Sequence, residues 1–228
     1  GAWKSFSLGS MFGTSDIASH IVIDDYGQKW IVVARGQKGL IVYNDNNTLL
    51  NATDDLVMKY QNVVGKGNLP SMDIFSIAKD RNGYIWLGTD HGVAIVYEPG
   101  NVFSGQNYDA QQIVVTQDGY NQYMLENEIV TAIAVDGANK KWIGTRTAGV
   151  FLLSADGTEQ LAHFTSENSP LLSNTINSIV VNDNTGEVFF ATAGGVVSYK
   201  GFATQPKEEF EEVYAYPNPV PEKYNGYV

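Results

Sequence analysis

Four side chains of this chain are of the types that recognise anionic ligands or acidic partners, Arg35, Lys38, His91 and Arg146, and Asp90 stands next to His91 as a fifth candidate of the same loops. Each follows one of the tryptophans Trp30, Trp86 and Trp142 by four to eight residues. If the fold gathers them, guanidinium, ammonium and imidazole groups would meet an anionic sugar or a partner's carboxylates through charge-assisted hydrogen bonds. If it does not, they are ordinary solvated loop charges.

Other chemistry finds less support. Nucleophilic catalysis needs a Ser or Cys, a base and an orienting acid converging in space. The chain has no cysteine, no Gly-x-Ser-x-Gly elbow and only three histidines, His20, His91 and His163, so no catalytic set is assigned. His20 falls on an apolar strand and His163 on an outer one, where packing or solvent exposure accounts for them. No two histidines have metal-ligand spacing. "DRNG" (80–83) and "NDNTGE" (182–187) offer oxygen ligands, but neither follows the calcium-loop pattern. Asp and Asn bonding their own backbone in turns explains them more simply. No metal and no cofactor is assigned.

What must position these residues is a repeat. "DDYGQKWIVVARGQKGLIVYN" (24–44), "DRNGYIWLGTDHGVAIVYE" (80–98), "DGANKKWIGTRTAGVFLLS" (136–154) and "DNTGEVFFATAGGVVSYK" (183–200) share an aromatic anchor, Trp30, Trp86, Trp142 and Phe189. The anchors lie 56, 56 and 47 residues apart, the period of a four-stranded propeller blade with loop insertions. Six residues before each anchor stands Asp24, Asp80, Asp136 or Asp183, and three before it Gly27, Gly83, Asn139 or Gly186. Gly and Asn accept the positive φ of a tight hairpin turn.

Each phrase therefore reads as strand, turn, strand, turn, strand. The apolar runs "SHIVID", "FSIAKD", "TAIAVD" and "NSIVVND" are the innermost strand a of each blade, the fourth one residue longer with a bulge or wider turn. The anchor opens strand b, and Gly39, Gly92, Gly149 or Gly195 turns the chain into strand c. Strand d is expected at "VMKYQ", at "YNQYML" around Tyr123 and at "LAHFTS". "AWKSF" at the start resembles a d strand of a further blade. The anchors are read as filling the wedge between blades. Asp118-Gly119 predicts an extra hairpin within the insertion at 99–127. In such blades the b–c and d–a loops emerge on one face, so Arg35, Lys38, Asp90, His91 and Arg146 share it.

The fold class is thus all-β, a β-propeller of about four four-stranded antiparallel blades over 1–202, followed by an acidic linker at 203–212 and the first strand of a β-sandwich-like domain at 213–228. Either the "WKSF" strand closes a small ring, or the blades belong to a larger ring. The second is preferred, and blade faces left open are then expected to self-associate or to be covered by other crystal or oligomer contacts. A net charge of −11 at 228 residues argues against nucleic acid or an anionic membrane as a partner held by bulk charge.

Three of the phrases, with their Asp, turn, Trp, Gly-Thr and Gly, resemble the two-component regulator propeller repeat of Bacteroidetes surface proteins. The run from "VTAIAVDGANKKWIGTRTAGVF" to "VVSYKG", with the later "VYAYPNPVPEKYNGYV", is similar to the PorZ-like surface proteins of the type IX secretion system. That resemblance implies two propellers and a terminal β-sandwich, export to the outer-membrane surface or periplasm, association with secretion-complex proteins, and handling of anionic lipopolysaccharide, with no enzymatic activity of its own. A periplasmic propeller of a hybrid two-component system, sensing polysaccharide fragments, is the alternative. A propeller lyase or glycosidase would need a carboxylate pair or a His/Tyr set near the axis, and none is named.

Overall fold

The computed structural model describes the chain from Trp3 to Gly201, apart from residues 4, 7, 9–10, 14–15, 35–37, 49 and 118. The expected linker at 203–212 and strand at 213–228 lie outside the described residues. Three antiparallel sheets of four strands follow one another as blades. Blade 1 holds β1 (Ile17–Ile23), β2 (Lys29–Ala34), β3 (Leu40–Asn44) and β4 (Leu56–Tyr60). Blade 2 holds β5 (Ile74–Lys79), β6 (Ile85–Thr89), β7 (Gly92–Val96) and the two-residue β8 (Gln111–Gln112). A separate hairpin of β9 (Val114–Gln117) and β10 (Tyr120–Tyr123) comes next. Blade 3 holds β11 (Val130–Val135), β12 (Lys141–Thr145), β13 (Val150–Leu153) and β14 (Gln160–Phe164). Blade 4 shows three strands, β15 (Ile176–Asn182), β16 (Glu187–Thr192) and β17 (Gly195–Lys200). The inner strands stand side by side, β1 by β5 and β11 between β5 and β15.

The repeated phrase builds each blade from a carboxylate. Asp24 Oδ1 accepts the backbone N–H groups of Tyr26 and Gln28, both at 2.9 Å, while its Oδ2 accepts the indole N–H of Trp30 at 2.8 Å. Asp80 holds Asn82, Tyr84 and Trp86 in the same way, and Asp136 holds Ala138, Lys140 and Trp142. Gly27, Gly83 and Asn139 take positive φ in these turns. Thus the acid six residues before the tryptophan both closes the turn and orients the ring.

Each ring then packs on the following blade. Trp30 shares a core with Ile74, Ile77, Ile85 and Leu87 of blade 2, Trp86 with Val130 and Ile143 of blade 3, and Trp142 with Ile176, Ile179 and Phe190 of blade 4. Two residues beyond the tryptophan the blades come closest. A Cβ on Gly88 would lie 2.6 Å from Val130 Cγ1, and one on Gly144 would lie 2.5 Å from Ile176 Cγ2. The wedge reading holds for the three tryptophans.

Blade 4 departs from it. Phe189 occupies the tryptophan register, opposite Val180, but is 38% exposed, because no described residues pack on that face; Phe190 is the buried ring. Asp183 does not play the turn acid either. Asn182, extending β15 by one residue, accepts the N–H groups of Asn184 and Thr185 in its place. A bulge is present here, after Ile176, but also at the matching point of every blade, after Ala18, Ile74 and Val130.

Two further expectations are corrected. Strand d of blade 2 is β8, paired with β7, and "YNQYML" instead supplies β10 of the extra hairpin, because Met124 turns back to donate its N–H to Ile113 at the hairpin's neck. The described residues Trp3, Ser5 and Phe6 join no sheet; Phe6 lies on the outer face of blade 1 with its ring 5.1 Å from Tyr43.

One ion pair joins blades 2 and 3. Lys141, fully buried, places its ammonium 2.8 Å from Asp80 Oδ2 and 4.6 Å above the Trp86 ring, and donates to the carbonyls of Asn139 and Ala155. Burial pulls its pKa below the usual value, against the opposing pull of Asp80. Breaking a buried pair strands the partner charge, at about 3–5 kcal/mol. Asp80→Asn is therefore expected to destabilise the chain by that order in a urea titration, and Asp136→Asn, which is bonded to no buried ammonium, by clearly less; equal losses would remove the role given to Lys141. In the same assay Gly88→Ala, which also brings a Cβ within 2.2 Å of Ser76 Oγ, is expected to cost about 2 kcal/mol or more from overpacking.

Candidate functional site

The loops between strands b and c are set by the Gly-Thr half of the phrase. Thr89 Oγ1 donates to the Gly92 carbonyl and accepts the His91 N–H, both at 3.0 Å. Thr145 repeats this with Gly149 and Ala148, and Thr192 with Gly195 and Gly194. Each loop is also tied to a connection between blades, either the one leaving its own blade, Gly39 N–H to Met72, Gly92 to Glu128 and Gly149 to Asn174, or the one entering it, Arg146 to Ile129 and Ala193 to Thr175. The b–c and d–a segments therefore share one face, with a rigid backbone.

On that face the predicted residues are spread out. Lys38 is half-buried and 3.6 Å from Asp16 Oδ2. Asp90 and His91 pair with each other, Oδ1 to Nδ1 at 3.1 Å. Burial disfavours the Asp90 charge, but hydrogen bonds from Ser71 and His91 outweigh it and hold the carboxyl below the usual range. Arg146 is exposed and stacks its guanidinium 5.0 Å over Phe75, the bulge residue of the inner strand β5. Arg35 lies outside the described residues. Lys38, His91 and Arg146 form no bond with one another, so the loops present separate polar groups, and Arg146 lies over the inner strand β5. His20 is exposed beside Ser19, and His163 is held by a 2.6 Å contact from Nε2 to the Ala148 carbonyl and by stacking on Phe151.

A second charged site, missed in the sequence, lies at the a–b turns on the opposite face. A hollow of about 410 Å³ is lined by Asp25, Lys79, Asp80, Arg81, Val135 and Asp183. Lys79 and Asp25 join blades 2 and 1 at 2.5 Å. Arg81 reaches further: its Nε donates to the Asp136 carbonyl at 2.8 Å, Asn139 Oδ1 accepts its backbone N–H at 2.9 Å, and its Nη2 meets Asp183 at 3.3 Å. One side chain of blade 2 thus straps blades 3 and 4. The oxygens of "DRNG" and "NDNTGE" serve turns, as Asp80 and Asn182 show, and the cation between them is Arg81.

The two component regulator propeller family matches residues 68–91. No curated protein matches the chain. Among solved structures, PorZ of Porphyromonas gingivalis, described as an essential bacterial surface component of the type IX secretion system, is 32% identical over 96% of this chain with a TM-score of 0.79. This chain spans 30% of the length of that structure. The extracellular domain of a hybrid two-component system from B. thetaiotaomicron is 24% identical over 84% of the chain and 22% of its own length, with a TM-score of 0.60. A second such extracellular domain, of a one-component system from the same organism, gives 20% identity over 82% of the chain and 24% of its own length, at 0.57. The blades are PorZ-like propeller blades. No helix among the described residues is long and apolar enough to cross a membrane.

The strap at the a–b face generates a test. Arg81→Ala is expected to lower stability by about 1–2 kcal/mol, since a charged donor leaves a carbonyl as well as a carboxylate. Lys79→Ala, which breaks only an exposed pair, is expected to cost under about 1 kcal/mol. Denaturant midpoints of the two variants check the order, and hydrogen exchange should speed up at residues 136–139 in the first alone.

Proposed function

We propose that this chain is a non-enzymatic propeller scaffold of a Bacteroidetes cell-surface secretion complex, exported to the outer-membrane surface or periplasm, where it binds anionic lipopolysaccharide or partner proteins of that complex. The observation that carries the reading is the 32% identity with PorZ sustained over 96% of the chain. The b–c face supports it with a clamped backbone, an Arg146 guanidinium spread over an aromatic ring, and an exposed His91 on a neighbouring loop. A guanidinium so held is ready to meet phosphate or carboxylate without losing much side-chain freedom.

The alternative is a periplasmic propeller that senses polysaccharide fragments for a hybrid two-component system. It is favoured by the regulator-propeller repeat at 68–91 and by the weaker likeness to two regulator extracellular domains.

Deletion of the whole gene separates the two. The scaffold reading expects secreted surface proteins to be released without their glycolipid while the transcriptional response to polysaccharides stays normal. Normal cargo with a lost response would reverse the choice. Within the intact gene, Arg146→Glu is expected to lower glycolipid attachment to cargo about ten-fold at unchanged protein level, the loss of one charge-assisted bond.

A further inference from the structure

The two ends of the row of blades carry opposite halves of the contact that joins its interior. At the junction of blades 3 and 4 the Trp142 ring lies among Phe164, Phe190 and Tyr199, with centroids 6.1, 5.6 and 5.5 Å away, and shares a core with Ile176 and Ile179. Blade 1 repeats this surround on its outer face. Ile21 pairs with Ile31 as Ile179 pairs with Phe190, Ala18 precedes the bulge as Ile176 does, and Tyr43 stands four residues after its glycine as Tyr199 does. Phe6 completes the set, its ring 5.1 Å from Tyr43 where Phe164 lies 5.5 Å from Tyr199.

These five side chains, Phe6, Ala18, Ile21, Ile31 and Tyr43, border one hollow of about 570 Å³. Its polar groups are already engaged: the Lys29 ammonium lies 2.6 Å from Asp45, and the Tyr43 hydroxyl donates to Asp55. Ile21 is 61% exposed, whereas Ile179, its counterpart beside Trp142, is buried. The hollow therefore has the make-up of an anchor socket, and among the described residues no anchor enters it.

Blade 4 carries the complementary half. Phe189 stands in the tryptophan register, opposite Val180 on β15 and Ser198 on β17. Side chains alternate along a strand, so Val196 shares the face of Phe189. Val180 and Val196 are 60% and 68% exposed. An anchor without a socket thus stands at one end of the row and a socket without an anchor at the other. Within one copy they do not meet, since both faces are open and the inner strands β5 and β11 stand between β1 and β15.

We propose that the outer face of blade 1 is the docking site for blade 4 of a second copy of this chain, with Phe189 entering the hollow bounded by Phe6, Ile21, Ile31 and Tyr43. The contact continues the series made by Trp30, Trp86 and Trp142 from one molecule into the next. It is head-to-tail, because the two faces differ and each copy offers one of each; such contacts close into a ring or run on as a chain of copies. The site depends on neither the glycolipid nor the sensor reading.

The 228-residue chain associates, on this proposal, as its concentration rises in sedimentation velocity. Phe189→Asp and Ile21→Asp are each expected to weaken self-association about ten-fold or more, with unchanged urea midpoints. A mixture of the two is nevertheless expected to form a 1:1 pair, since each keeps the half that the other has lost. Val114→Asp, at an exposed apolar residue of the β9–β10 hairpin, leaves association unchanged. The chain has no cysteine, so introduced thiols report proximity without background. Val150, the counterpart of Val196, shares a core with Ile179; Ile21→Cys mixed with Val196→Cys is therefore expected to give more disulfide-linked dimer than either variant alone. A chain that stays monomeric at every concentration overturns the proposal and leaves the hollow to another protein. Equal weakening by Val114→Asp would mean general adhesion, and failure of the mixture to pair would mean that like faces meet; each of these overturns it too.

Discussion

A carboxylate buried under the inner hairpin of each of blades 1 to 3 is the constraint from which the rest follows. An ionised group shielded from water is tolerable only when its lone pairs are met. Asp24, Asp80 and Asp136 meet this with two backbone N–H groups and an indole N–H apiece. Turn and tryptophan are thereby coupled through one side chain, whose second oxygen also takes the Gln28 amide in blade 1 and the Lys141 ammonium in blade 2. Because the turn fixes the acid and the acid fixes the ring, a local seven-residue feature, Asp24 to Trp30 and its two copies, decides which way each of these blades faces the next.

The second half of the phrase completes the coupling at short range. Gly88 and Gly144 are seats for Val130 and Ile176 of the following blade, so the tryptophan wedge and the glycine contact lie two residues apart on the same face. Thr89 and Thr145 then clamp the loop that returns the chain. Blade 1 carries Val32 and Val33 at these two positions, and its contact with blade 2 is filled by side chains rather than by close backbone approach. Blade 4 has Ala191 for the glycine and Phe189 for the tryptophan, on the face where no described residues pack. Departures from the phrase thus occur at the two ends of the row, where one neighbour is absent from the described residues.

Strands, turns and the direction of packing were legible because they depend on residues within one phrase. The acid at a fixed distance before each tryptophan was visible too, although its bond to the indole was not, since spacing alone does not say where a carboxylate points. What escaped the sequence lies between phrases. Arg81 and Asp183 are 102 residues apart and meet only because the blades curve. Lys141 looks in the sequence like any charged strand residue, yet it is sealed against Asp80 because its neighbour happens to be the preceding blade's turn. The misplaced strand d of blade 2 has a related cause. Residues 111–112 show no apolar alternation and pair for only two residues, while the alternating run at 120–123 serves an insertion. Of the anticipated ligand contacts, Lys38, Asp90, His91 and Arg146 lie on b–c loops as blade topology led one to expect, but their separation was set by partners such as Asp16 and Phe75 that no motif announces.

The two faces of the propeller consequently differ in what they leave available. At the a–b turns the charged tips are consumed by ties between blades, Lys79 to Asp25 and Arg81 to Asp136 and Asp183. A ligand there would have to compete with contacts that hold the row together. At the b–c loops the blade-to-blade ties are made by backbone groups, with Thr side chains closing each turn. Side chains such as His91 and Arg146 are therefore not required for packing and stand exposed on a fixed frame. A fold that assigns cohesion to main-chain atoms on one face frees that face's side chains to vary with the ligand, whereas the opposite face cannot change its charges without loosening the blades.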